Sequence, residues 1–145
     1  MSGTPITVLM VDDDKGDVDL TMAALEETKL ANEFFTVGDG IECMRFLRQE
    51  GEYAGSPRPD VILLDLNMPR MNGLETLAAI RADPALRTIP VVVLTTSAAD
   101  EDVVKSYTLS ANCYVTKPVD LDRFMYVVQK IEEFWVQVVR LPPHA

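Results

Sequence analysis

The feature that most constrains this chain is a set of short, nearly uninterrupted aliphatic runs separated by stretches of helical periodicity. Ile6–Val11 reads ITVLMV, Val61–Leu66 reads VILLDL and Val91–Thr95 reads VVVLT. A strand with one wet face alternates polar and apolar residues. These runs do not, so both of their faces are expected to be buried, as in a parallel sheet covered on each side. Two weaker runs, Glu33–Val37 and Cys113–Thr116, complete the set.

Helix-period segments fill the intervals. Val18, Met22 and Leu25 recur within Asp17–Lys29, and Ile41, Met44 and Leu47 share one side of Ile41–Gln49. Gly73–Arg81, Asp100–Leu109 and a long stretch from Leu121 to about Val139 follow, the last ended by Pro142-Pro143. A βα unit repeated five times predicts an α/β fold with helices on both faces of a five-stranded parallel sheet, joined by right-handed crossovers. The common order for such a sheet is the flavodoxin-like 2-1-3-4-5, with its ligand site outside the carboxyl ends of the strands. The Gly- and Pro-rich segment Glu50–Pro59 is expected to be an inserted irregular loop, and residues 140–145 a tail. No internal repeat occurs, and 145 residues suit a single domain spanning 1–145.

Composition narrows the function classes. The formal net charge is -10. That opposes binding a phosphate backbone, which requires clustered Lys and Arg, so no nucleic-acid partner is expected. No apolar run approaches the roughly 18–20 residues that cross a bilayer, and the start lacks a basic segment of the secretory kind, so no membrane association and a cytoplasmic location are expected. The two cysteines, Cys43 and Cys113, are read as small unpaired thiols.

The unusual polar residues all fall at carboxyl ends of strands: Asp12-Asp13 after the first, Asp65 closing the third, Thr95-Thr96 at the fourth and Thr116-Lys117-Pro118 at the fifth. The topology brings these ends to one edge. Carboxylates gathered there need a cation to remain ionised together. Mg²⁺ suits them, with Mn²⁺ as a substitute, because it takes hard oxygen ligands and keeps open positions for water or phosphate. Lys117 adds a positive charge and Thr95 a hydroxyl, both able to bind phosphoryl oxygens. A carboxylate between a metal and a lysine is a plausible nucleophile toward phosphorus.

In this order the motifs resemble the receiver domains of response regulators over nearly the whole chain. They are the acidic pair Asp12-Asp13, the run ILLDLNMPRMNG with Asp65, then Thr95, then Lys117-Pro118. The resemblance implies that Asp65 accepts a phosphoryl group from the phosphohistidine of a sensor kinase. It implies Mg²⁺ ligation by Asp13, Asp65 and the backbone carbonyl of Asn67, with Asp12 acting through water. It assigns Lys117 to the phosphoryl group, Thr95 and Tyr114 to a coupled switch, and Asn67 and Ser97 to the tuning of phosphoryl lifetime. Such a chain assists its own phosphorylation and dephosphorylation without being a dedicated enzyme.

Simpler readings stand beside these roles. Asp14 is expected to cap the first helix. Thr96 is read as a β-former and Gly73 as the opening of a helix. Tyr114 is open between a switch and a packed strand residue. A pseudo-receiver that binds partners without phosphorylation is countered by the intact set Asp13, Asp65, Thr95 and Lys117. An aspartyl-phosphate hydrolase would place an acid two residues after its nucleophile, where this chain has Asn67.

The long passage through Glu50–Pro59 and the tail IEEFWVQVVRLPPHA resemble the stand-alone response regulators that accompany phytochrome-type histidine kinases. Independently of family, at about 100° per residue the last helix carries an apolar arc of roughly 200°. One buried face needs little more than about 100°. The excess is covered either by the Leu141–Pro143 tail folded back on its own domain or by another chain. For the second, Val127, Phe134, Trp135 and Val138, with Leu141 of the tail, are the candidates for a homodimer interface, and signalling would run onward to a downstream protein.

Overall fold

The aliphatic runs become strands. In the computed structural model, which describes residues 6–27, 32–66, 68, 70–95 and 113–116, β1 spans Ile6–Val11, β2 Asn32–Val37, β3 Val61–Asp65, β4 Val91–Thr95 and β5 Cys113–Thr116. They form one parallel sheet in the order β2-β1-β3-β4-β5. Three helices are described: α1 Lys15–Glu27, α2 Gly40–Leu47 and α3 Gly73–Ala82.

The expectation of burial on both faces is met residue by residue. Leu9, Val11, Ile62, Leu64, Val91 and Val93 pack with Cys43, Phe46, Leu77 and Ile80 of α2 and α3. The alternate residues Val8, Met10, Leu63, Val92 and Leu94 pack with Leu25 of α1 on the other face. Successive side chains of one strand thus feed two separate cores. At about 25 cal/mol per Å² of apolar surface, these buried aliphatics are the main favourable term of the fold.

Each helix has a local starting signal. Asp14 Oδ1 accepts from the backbone N–H groups of Gly16 and Asp17, at 2.8 and 3.2 Å, as expected for the cap of α1. Asp39 accepts from Glu42 N at 2.9 Å and starts α2. Asn72 and Glu75 form a reciprocal capping box on α3.

Two expected helix faces are shifted. Met22 and Ile41 are 40% and 41% exposed rather than packed in line with their neighbours. In α1 the buried position goes to Thr21, whose hydroxyl donates to the Asp17 carbonyl at 2.9 Å and so enters the interior with its polar group satisfied. In α2 the sheet-facing set is Cys43, Met44, Phe46 and Leu47. That helix stops at Leu47, two residues before the expected end, where Gln49 turns to a φ of 56°.

The segment from 50 to 59 carries more order than its composition suggests. Gly51–Tyr53 is a 3₁₀ helix. The Tyr53 ring lies 5.5 Å from that of Phe46, and its hydroxyl donates to Glu42 Oε1 at 2.7 Å. Further along, Arg58 donates to Ala85 O and Thr88 Oγ1. The expected helices over Asp100–Leu109 and Leu121–Val139, and the tail, lie outside the described residues.

Candidate functional site

Register decides what meets at the sheet edge. Val11 of β1 is level with Leu64 of β3, so the next residues, Asp12 and Asp65, emerge side by side. Asp65 is level with Leu94, and Thr95 with Thr116. Hydrogen bonds from Asp12 N to Val37 O (3.0 Å) and from Leu66 N to Leu94 O (3.1 Å) extend the sheet just past these ends.

Carboxylate oxygens of Asp12, Asp13 and Asp65 lie within 4.8 Å of one another. Asp12 and Asp65 are buried, at 4% and 2% exposure, while Asp13 faces solvent. At an effective dielectric constant of about 20, each ionised pair at that separation repels by roughly 3 kcal/mol or more. A divalent cation relieves this repulsion. The donor set consists of hard carboxylate oxygens with one exposed member, which fits Mg²⁺ or Mn²⁺ with positions left for water or phosphate.

Of the residues expected from sequence, the structure therefore brings Asp12, Asp13 and Asp65 together. It sets Thr95 at the carboxyl end of β4 and Tyr114 within β5, level with Val93. Asn67, Ser97 and Lys117 lie outside the described residues, as do Val127, Phe134, Trp135, Val138 and Leu141.

Three features beside the site depend on contacts that the sequence does not display. The first is Gly73. Its N–H donates to Leu66 O at 3.2 Å. A Cβ there would stand 2.3 Å from the carbonyl oxygen of Asp65 and 2.6 Å from Leu66 Cα. The start of α3 is thus pressed against the backbone that carries Asp65, which only glycine permits.

The second is the pair of Asp39 and Arg70. Arg70 has φ 61°, a left-handed conformation costing an ordinary residue on the order of 1–2 kcal/mol. Its Nε donates to Asp39 Oδ2 at 2.7 Å, and its Nη2 donates to the same oxygen. Burial opposes ionisation of Asp39, but the Glu42 N–H and the Arg70 guanidinium outweigh it and hold the carboxyl below the usual carboxylate value. The hydrogen bond to Asp39 in turn raises the Arg70 guanidinium.

The third is the position of Glu42, which accepts from the Tyr53 hydroxyl and from Arg45 Nη1. The Tyr53 bond, followed by the Arg45 bond, lowers Glu42 despite its partial desolvation. That same bond, with burial, pushes the Tyr53 phenol up to about 12. Asp39 with an acid three residues on is a readable helix start. Its partner Arg70, 31 residues away, carries no local signal. Cys43 is a buried, unpaired thiol, pushed up to about 12 by desolvation and by the nearby Asp39 charge, and is not a reactive group of this site.

The chain is also similar to known proteins. A family model described as response regulator receiver domain matches residues 8–129. The chain is 47% identical over 141 residues to the response regulator Rcp1 of Synechocystis sp., covering 97% of this chain and 96% of that one. It is 35% identical to a probable methanogenesis regulatory protein, FilR2, of Methanothrix harundinacea, covering 95% and 88%. Among solved structures, the phosphorylated cyanobacterial phytochrome response regulator RcpA superposes with a TM-score of 0.80 at 48% identity, over 92% of this chain and 95% of that one. The Mn²⁺-bound form of Rcp1 gives 0.78 at 46%, over 92% and 96%.

Proposed function

This chain belongs to the response regulator receiver domain family, and from that premise we propose that Asp65 is its phosphoryl-accepting residue, in a relay fed by a phytochrome-type sensor histidine kinase. The observation that carries the assignment is the convergence of Asp12, Asp13 and Asp65, with Asp65 closing the strand at the middle of the sheet.

Asp65 acts as nucleophile. One of its carboxylate oxygens bonds to phosphorus while the bond from phosphorus to the donor histidine nitrogen breaks, and the nitrogen keeps the electron pair. Asp13 and Asp65 would hold Mg²⁺, joined by the Asn67 carbonyl, with Asp12 bound through water. The bound ion supplies neutralising charge for the phosphoryl oxygens. Asp12 and Asp65 are buried, so the acids are held in place without rearrangement, and phosphoryl transfer depends chiefly on such positioning. Lys117 follows Thr116, level with Thr95, and would bring its charge to the same edge. Thr95 and Tyr114 would report occupancy as paired rotamers, and Asn67 and Ser97 would set the lifetime of the acyl phosphate.

The phytochrome link is supported by RcpA, a cyanobacterial phytochrome response regulator that this chain matches over 95% of its length. A second copy of the chain is the proposed partner of the last helix, supported by the apolar arc of its sequence. Phosphorylation then changes which protein surfaces are offered, so the chain serves as a switch in the cytoplasm rather than as a dedicated enzyme.

The test is incubation with Mg²⁺ and acetyl phosphate. A hydroxylamine-labile label should appear on the wild type and be absent from D65N. A label that persists in D65N would refute the assignment.

A further inference from the structure

Asp65 is followed by a loop that must return to α3, and the structure shows how that loop is fastened. Gly73 N donates to Leu66 O at 3.2 Å, closing the loop on itself. Met71 O accepts from Gly40 N at 3.1 Å, joining it to the first residue of α2. The third attachment is Arg70, which reaches Asp39 through two of its nitrogens. Among the described residues the last two attachments lead to the start of α2, which precedes β3 in sequence and lies beside the loop in space.

The approach is tight. A Cβ on Gly40 would lie 2.0 Å from Thr76 Oγ1 and 2.6 Å from Met71 O, so α2, the loop and α3 meet without spare room. Arg70 adopts its left-handed conformation in a place where its side chain, half exposed, is nonetheless drawn down onto a buried carboxylate. The attachment extends outward. Arg70 Nη2 lies 3.7 Å from Glu42 Oε2, and Glu42 is held by Tyr53 of the 50–59 segment.

We propose that Arg70, latched to Asp39, is a positioning residue that fixes the loop leaving Asp65 and thereby sets the affinity of the acidic cluster for its cation. This rests on the reading of Asp12, Asp13 and Asp65 as the cation site. Arg70 is not among the proposed ligands; its partners are Asp39 and Glu42. It acts through the backbone: the loop it fastens leaves Asp65 at Leu66, where Gly73 N closes it, so the latch holds the end of β3 that carries the proposed ligand. Outer-shell partners that orient ligands in this way are worth about 10–100-fold in metal affinity. The buried carboxylate of Asp39 also makes Arg a better latch than Lys, because a guanidinium donates from several nitrogens in a fixed plane.

The test is calorimetric titration of the full chain with Mn²⁺, alongside thermal melting, for wild type, R70A, R70G, R70K and D39N. R70G matters most, since glycine takes the left-handed backbone without strain and leaves only the latch missing. D39N keeps a good helix cap while removing the charge that holds Arg70. R70A and R70G should each lose on the order of tenfold in Mn²⁺ affinity, with R70K intermediate. R70A combined with D39N should lose no more than R70A alone. Wild-type affinity in R70G, or losses in R70A and D39N that simply multiply, would overturn the proposal. Neither result would touch the acceptor assignment, which stands or falls on the label in D65N.

Discussion

The amino end of α3 presses on the backbone of the proposed acceptor so closely that a Cβ on Gly73 would stand 2.3 Å from the carbonyl oxygen of Asp65. Backbone on both sides leaves nothing that can rotate away. G73A should therefore displace either α3 or the end of β3, at a cost of about 1–3 kcal/mol. Urea denaturation reads the stability loss. Acetyl phosphate labelling should fall more than the folded fraction does, because the displaced segment is the one that carries Asp65.

Asp13 is the exposed member of the acidic cluster, so neutralising it should spare the core. D13N is expected to melt at or above the wild-type temperature in the absence of divalent cations, because one repulsive charge is gone. Loss of Asp13, a proposed direct ligand, should cost at least as much as loss of an outer-shell partner, so the Mn²⁺ affinity of D13N should drop by more than about tenfold. Calorimetry and a melting curve with chelator check the two halves separately.

Asp39 predicts an acid limb. Its folded-state carboxyl lies below the ordinary value of 3.8, so its charge contributes stability above that value, which is lost as the pH falls through the lower folded-state value. D39N retains the cap but not the charge. The stability gap between wild type and D39N, read by denaturant at each pH, should therefore be largest near neutrality and close below about pH 4. D39A should cost about a further 1 kcal/mol at every pH through the missing cap.

Tyr53 predicts a late phenol. It is raised from 10.0 to about 12 by its bond to Glu42 and by burial. Tyrosinate absorbance should show one group titrating well after an ordinary tyrosine, and Y53F should remove that step alone. The raised value means that this contribution to stability is intact below pH 10 and lost as the pH rises through the folded-state value. E42Q should bring the same step back toward the ordinary range.

The proposed dimer has a direct check. Truncation after Val136 removes Val138 of the apolar arc and Leu141 of the tail. Light scattering should report a dimer for the full chain and a shift toward monomer for the truncated one. A monomer in both would end the homodimer proposal.

What could be read in the sequence was what depends on local pattern. β4 and β5 run over the residues expected, and β3 differs only in stopping at Asp65, because an apolar run bounded by polar residues leaves little freedom of placement. Asp12, Asp13 and Asp65 were legible for a related reason: strand ends in a parallel sheet share an edge. Helix faces were less legible. Thr21 is buried and Met22 exposed because a hydroxyl can satisfy itself on its own helix, which an apolar pattern does not register. The bond from Arg70 to Asp39 spans 31 residues and that from Tyr53 to Glu42 spans 11, and no local pattern links the two partners of either. In the sequence Gly73 signals only the opening of a helix. Its closer role depends on a distance that appears only once β3 and α3 are assembled.

The gathering of Asp12, Asp13 and Asp65 has a consequence for the fold as well as for phosphoryl transfer. Two of these acids are buried, and each belongs to a different strand or its extension, so the native state alone bears their mutual repulsion; the unfolded chain holds them apart. A cation that binds only the folded form stabilises it by RT ln(1 + [L]/Kd), about 2.7 kcal/mol at a hundredfold excess over Kd. Divalent ions should thus act on this protein as folding ligands before any phosphate arrives, and the ionic makeup of the compartment becomes a determinant of how long the chain survives.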